Sequence, residues 1–185
     1  MSKLTVFNFI TLNGFYKGTN GDISWHRHGG EEAQYSAEAL QASNTLLFGR
    51  ITYEMMAHFW PTPVAIESNP IVAEGMNKAS KIVFSRTLQK AEWNNTRLIK
   101  NNIIEAMKKL KQEEKKDMTL LGSGSLVTQF AEQGLIDQYE IMLDPVAIGS
   151  GTPLFKGIQQ NLNLKLVNSR TFKSGVVLLT YQPVQ

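Results

Sequence analysis

Three short polar stretches carry the residue types that hold a phosphate. They are Gly49-Arg50-Ile51-Thr52, Ser85-Arg86-Thr87, and Gly122-Ser123-Gly124-Ser125, the last running on into Leu126. Arginine offers a planar, permanently charged fork that matches phosphate oxygens. Hydroxyls and free amides at the start of a helix hold a pyrophosphate without a metal. Each stretch alone has a plainer reading. Gly49 can end a strand, Thr52 can cap a helix, Arg50 and Arg86 can be surface charges, and Gly124 can serve only a tight turn. Together they supply cationic forks and an amide cradle, the two features that a dinucleotide with an extra phosphate on its ribose requires.

Other chemistries fit less well. GSGSLV (122–127) lacks the last glycine of the dinucleotide fingerprint. It also lacks an acidic ribose partner at a later strand end, since Asp137 is too near and Glu140 lies within a predicted strand. The chain has neither G-x4-G-K-[ST] nor G-x-S-x-G, which removes P-loop and hydrolase-elbow chemistry. His26-Arg27-His28 pairs two histidines with no cysteine and no nearby acidic pair, so it reads as a solvent-exposed loop and no metal is expected. Tyr53 and Trp25 could wall a flat heterocycle by stacking, although Tyr53 reads equally as helix core. Asp22, Glu31 and Glu32 are candidate proton donors or ring-nitrogen partners, with solvated acids as the plainer reading. No residue is assigned a catalytic role. His58 reads as part of a helix, and Met55-Met56 and the stripe from Ile103 read as core.

These groups need elements to position them. LTVFNFI (4–10) reads as a buried strand, and 11–22 as a loop with two Asn-Gly turn signals. Residues 31–44 read as a helix with an acidic first turn, 45–49 as a strand, and 51–60 as a helix that Pro61 stops. Residues 61–72 read as a proline-punctuated loop. KIVFS (81–85) and RLIK (97–100) read as strands, and 101–114 as an amphipathic helix with asparagine at its cap. DMTLLG (117–122) is a strand, followed by a helix that Gly134 ends. After residue 136 only strands follow: 139–149, 163–172 and 176–181, the last two joined by a hairpin at Ser174-Gly175. Alternating strands and helices followed by strands alone predict an α/β fold. Its sheet is mixed, with a mostly parallel, helix-flanked part and an antiparallel C-terminal end.

The 185 residues, 42% hydrophobic and 19% charged, suit one globular domain spanning 1–185. No apolar run is long enough for a membrane span, so no membrane partner is expected. The net charge of +3 owes part to KKLKQEEKK (108–116), which is mixed in sign and free of aromatics. That is a solvated helix face, and no nucleic-acid partner is expected. The chain has no cysteine, which excludes disulfides and thiolate metal sites and is compatible with the cytoplasm.

LLFGRITYE (46–54), LLGSGSLVTQFAEQGLIDQYEI (120–141) and PVAIGSGTPLF (145–155), in this order and spacing, resemble the dihydrofolate reductase-like superfamily. Within it the chain is similar to the bacterial group related to the reductase domain of the bifunctional riboflavin-biosynthesis deaminase/reductase, over Leu4 to Tyr181. The resemblance implies a three-layer fold with a mostly parallel central sheet of about eight strands, NADPH as cofactor, and a homodimer. It implies that Gly49, Arg50 and Thr52 meet the 2′-phosphate and pyrophosphate. Ser85, Arg86 and Thr87 would surround the adenosine, and Gly122, Ser123, Gly124, Ser125 and Leu126 would meet the pyrophosphate and nicotinamide end. Phe9 to Gly14 would face the nicotinamide, with Asn13 on the substrate side; Trp25 and Tyr53 are substrate-side candidates by their own stacking chemistry. Two departures stand out. Among Glu31, Glu32 and Glu38, none aligns with the pterin-facing acid of dihydrofolate reductases. Thr11-Leu12-Asn13-Gly14 stands where the riboflavin reductases have a pattern like S-L-D-G, so a negative charge is lost. The deaminase domain and its zinc motif are not among these residues. The expected activity is NADPH-dependent reduction of a small heterocycle, with the ribosylamino-pyrimidine of riboflavin synthesis as leading substrate. The alternatives are dihydrofolate reduction or a dimeric nucleotide-binding protein with little catalysis.

Overall fold

The computed structural model describes residues 1–42 and 44–184. Strands β1 (Leu4–Thr11), β2 (Phe15–Gly18), β3 (Thr45–Gly49), β4 (Lys81–Phe84), β5 (Thr96–Ile99), β6 (Met118–Leu121), β7 (Gln138–Asp144), β8 (Gly151–Pro153), β9 (Leu164–Thr171) and β10 (Val177–Pro183) interleave with α-helices. The helices are α1 (Gly30–Gln41), α2 (Arg50–Phe59), α3 (Pro63–Ser68), α4 (Pro70–Lys78), α5 (Ile103–Glu113) and α6 (Gly124–Glu132). Eight strands form one sheet in the order β5-β4-β3-β6-β1-β7-β10-β9, and β2 pairs with β8 in a small separate ribbon. From β5 through β7 every pairing is parallel, and β10 runs antiparallel to both β7 and β9. This is the mixed, helix-flanked sheet with an antiparallel C-terminal end expected above.

Burial explains the layering. β4 is buried along its whole length and β3 at all but its last residue, as befits parallel strands covered on both faces. Leu4, Val6 and Leu120 pack with Met107 and Leu110 of α5 and with Phe130 of α6 on one face. Leu46, Phe48 and Val83 pack with Tyr53, Met76 and Trp93 on the other. Lys81 sits inside this second layer. Its Nζ donates to the Asn77 and Ala79 carbonyls (3.2 and 2.7 Å) and lies 4.5 Å from the Trp93 ring centre. Burial pushes its pKa down to about 8.

Several boundaries differ from expectation for identifiable reasons. The proline-rich stretch 61–72 is not a loop: Pro63 and Pro70 open α3 and α4. At the first helical position a proline loses no hydrogen bond, and the Thr62 hydroxyl accepts from the Ala65 N–H. The presumed loop 11–22 contains β2. The helix expected over 31–44 ends at Gln41, and Ser43 lies outside the described residues. Asn102 stands at the cap of α5 but makes no side-chain cap bond, its φ being 50°. β7 stops at Asp144, before Pro145, rather than at 149. Leu166 and Val167 are exposed because β9 is the sheet edge. Among the described residues no helix is long and apolar enough to cross a membrane.

Candidate functional site

The carboxyl ends of β1, β3, β4 and β6 open into one cavity of about 1110 Å³. All three polar stretches line it, joined by Thr5 and Phe7 to Phe9 of β1 and by one side of α1 from Glu32 to Leu40. The parallel topology causes this. β3 and β6 are neighbours, so Gly49 and Gly122, far apart in sequence, end side by side. The Ser123 hydroxyl accepts the Gly49 N–H at 2.6 Å and lies 3.2 Å from Thr52 Oγ1. Thr52 is therefore not a helix cap; its side chain ties the two turns together.

Gly122 (φ 58°) and Ser123 (φ 61°) are successive left-handed residues that lead into α6. Among the described residues the amides of Ser123, Gly124 and Ser125 have no protein partner, so the helix start presents free donors. Gly124 serves more than a turn, because a Cβ there would lie 2.8 Å from the Tyr16 ring. The Ser85 hydroxyl accepts from the N–H groups of Thr87 and Leu88 (3.2 and 3.0 Å), fixing the loop that carries Arg86. Arg50 pairs with Glu54 at 3.0 Å, both half-exposed. Arg86 is exposed on the cavity wall with no ion pair among the described residues. Free amides, hydroxyls and two arginines along one cavity form a donor set that suits an elongated ligand bearing phosphates.

The other end of the cavity is built differently. The Phe9 ring stacks on His26, with centres 3.5 Å apart and planes 14° from parallel. His26 Nδ1 lies 2.7 Å from Asp144 Oδ2, and Asp144 Oδ1 accepts the Arg27 N–H at 3.2 Å. His26 is 5% exposed and Asp144 fully buried, so the expected solvent-exposed histidine loop is corrected for His26. The pair holds it in. His28 meets His26 edge-on at 4.5 Å. Desolvation, then the neighbouring His26, push the His28 pKa below the ordinary histidine value, with Asp144 opposing. Among the described residues no cluster of three or more metal-ligating side chains exists.

The acids divide clearly. Glu32 is buried, lines the cavity and accepts from the Ser174 hydroxyl. Glu31 instead accepts the Lys173 N–H at 2.9 Å, outside the cavity lining. Asp22 is exposed and accepts the Ser24 N–H at 2.9 Å, a bond that holds its carboxyl below the usual range. Tyr35 donates to Glu140 at 2.8 Å, and burial raises its pKa.

Of the residues assigned above to the substrate side, none lines this cavity. Tyr53 is core: it is 3% exposed, and its hydroxyl accepts the Trp93 N–H at 3.0 Å. Trp25 donates to the Asp22 carbonyl and packs edge-on behind His26. Asn13 is a loop staple. Its amide donates to the Ile148 carbonyl at 2.8 Å, while its oxygen accepts from the Thr11 hydroxyl and the Ile148 N–H. Met55, expected in the core, is 40% exposed and lines the cavity. Asn8, Tyr16 and Asp144 are not among the site residues expected from sequence, and Glu140, set aside above as a ribose partner, lines the cavity. Asp144 had one legible signal, an Asp-Pro pair ending a strand.

A mostly parallel eight-stranded sheet with flanking helices, an antiparallel end and a groove across its strand ends is the dihydrofolate reductase-like fold. The chain belongs to the RibD C-terminal domain family, whose model matches residues 2–178. It is 35% identical to the uncharacterized protein YyaP of Bacillus subtilis (strain 168) over 172 residues, 93% of this chain and 90% of that one. Solved structures that share the fold include two reductases. One is a diaminohydroxyphosphoribosylaminopyrimidine deaminase/5-amino-6-(5-phosphoribosylamino)uracil reductase from Thermotoga maritima (TM-score 0.70, 14% identity, 99% of this chain and 57% of that one). The other is dihydrofolate reductase from Enterococcus faecalis in complex with NADP(H) (TM-score 0.65, 18% identity, 99% and 97%).

Proposed function

We propose that this chain is an NADPH-dependent reductase of a small heterocycle, with a ribosylamino-pyrimidine of the riboflavin type as first substrate. The observation that carries this reading is the convergence of three phosphate-suited turns, remote in sequence, on one cavity. The free amides of Ser123, Gly124 and Ser125 would hold the pyrophosphate, with Thr52 and Gly49 fixing the cradle and Leu126 closing its floor. Arg50 would meet the 2′-phosphate, and Ser85, Arg86 and Thr87 the adenosine side. Phe9 would flank the nicotinamide. When bound, NADPH supplies a hydride. Glu32, buried at the same end, would face the polar ring edge of the substrate.

The test is a titration with NADPH and NADH, then the loss of NADPH absorbance with the pyrimidine substrate and, separately, with dihydrofolate. Turnover on the pyrimidine supports the proposal. Turnover on dihydrofolate alone replaces the substrate, and binding without any turnover leaves a nucleotide-binding protein. A cytoplasmic location and a homodimer belong to the same proposal. The open edge of β9, with Leu166 and Val167 about half exposed, is the surface a second copy would cover. A monomeric mass in solution light scattering would remove the dimer.

A further inference from the structure

We propose that His26, oriented by Asp144, donates the proton that accompanies hydride addition; this deepens the reductase reading and rests on it. Asp144 ends β7 beside β1, fully buried, and spends one oxygen on His26 Nδ1 at 2.7 Å and the other on the Arg27 N–H. A carboxylate on Nδ1 keeps a proton there and fixes the ring's tautomer and orientation. The opposite nitrogen, Nε2, has no partner among the described residues, and His26 lines the cavity. Phe9 covers one ring face at stacking distance, so the imidazole cannot turn away. Asn8, the next residue back along β1, also lines the cavity and leaves a buried Nδ2 donor without a partner among the described residues. A buried orphan donor there marks a place where a ligand acceptor belongs.

The charged and titratable groups around the ring are consistent with this role. His28 lies edge-on from the same loop, and Arg27 turns its guanidinium to the Ser174 carbonyl. Asp144 faces the ring from β7. On α1, Glu32 is engaged by the Ser174 hydroxyl and Glu31 by Lys173. Glu32 is an acceptor when ionised, whereas a His26 imidazolium carries a donor at Nε2. The balance is simple. A hydride adds to carbon of a C=N or C=O group, with the reduced nicotinamide as its source. The π pair moves onto the heteroatom, which takes the Nε2 proton. The N–H pair stays on the ring, leaving neutral imidazole with its Nδ1–H still on Asp144. One hydride and one proton reach the substrate, two electrons and two protons in all, and His26 regains its proton from solvent past the exposed His28.

The experiment has two parts. Long-range 1H–15N NMR of the free wild-type protein should show His26 protonated at Nδ1 across the pH range of folding. A neutral His26 with its proton on Nε2 alone overturns the proposal whatever the activity. In turnover assays, His26→Gln should lower kcat by roughly 10²–10⁴-fold with unchanged NADPH affinity. The pH profile of wild-type kcat should differ from that of the variant. Asp144→Asn should lower kcat and change the His26 NMR signature together. Wild-type turnover that survives in His26→Gln within threefold, with the same pH profile, overturns the His26 role alone. Absence of wild-type NADPH binding overturns the reductase reading and this inference with it.

Discussion

Replacing Gly122 by alanine separates backbone strain from crowding at the cradle. At φ 58° the new Cβ meets the left-handed penalty of about 1–2 kcal/mol. It would also lie 3.2 Å from both Cγ2 and Oγ1 of Thr52, tighter than ordinary contact. Overpacking of this kind adds about 1–3 kcal/mol. Gly134 provides a matched control. Its φ is 60°, yet nothing lies within 4 Å of an added Cβ. Gly134→Ala should therefore lose about 1–2 kcal/mol in urea denaturation and bind NADPH as the wild type does. Gly122→Ala should lose more, about 2–5 kcal/mol, and weaken NADPH at least tenfold as the Thr52–Ser123 tie is pushed aside. Thr52→Ser removes the Cγ2 and keeps the hydroxyl, so in the Gly122→Ala background it should recover part of both losses. Equal destabilisation of the two glycine variants, with NADPH binding intact in both, would refute the idea that the turns touch closely enough to form one cradle.

Three further outcomes are expected. Asn13→Asp removes the donor to the Ile148 carbonyl and sets a charge against it. It should cost about 0.5–1.5 kcal/mol, read as a lower denaturation midpoint; an unchanged midpoint would show that the staple is dispensable. Lys81 has a folded pKa of about 8 against 10.5 for the free side chain. The burial penalty is then full below pH 8 and is relieved as pH rises from about 8 towards 10.5, where the unfolded chain holds the proton longer. Wild-type stability should thus gain on Lys81→Met over that window; parallel curves would contradict a depressed lysine. Tyr53→Phe loses the acceptor for the Trp93 N–H at 3.0 Å inside the core. It should lower stability by about 1–3 kcal/mol and leave NADPH affinity unchanged, whereas a weakened cofactor with intact stability would return Tyr53 to the site.

The elements were legible where periodicity was strong. The parallel strands 45–49 and 81–85 are continuous apolar runs, and the 101–114 helix has a clear apolar stripe. Proline misled at 61–72, because the residue that breaks a helix interior also opens a helix. The phosphate-suited turns were legible because glycine, hydroxyl and arginine types recur at strand ends. The substrate side was not. Asn13, Trp25 and Tyr53 have suitable chemistry, but their partners Ile148, Asp22 and Trp93 are set by tertiary packing. Likewise His26 reads as a loop residue until β7 brings Asp144 beside it, a pairing across 118 positions that no local pattern encodes.

The most direct measurement is NADPH and NADH affinity by calorimetry for the wild type and for Arg50→Ala. The wild type should bind one NADPH per chain and prefer it to NADH by at least tenfold. Arg50→Ala should erase most of that preference by weakening NADPH and sparing NADH. No NADPH binding by the wild type, or equal losses for both nucleotides in the variant, would contradict the assignment of this groove.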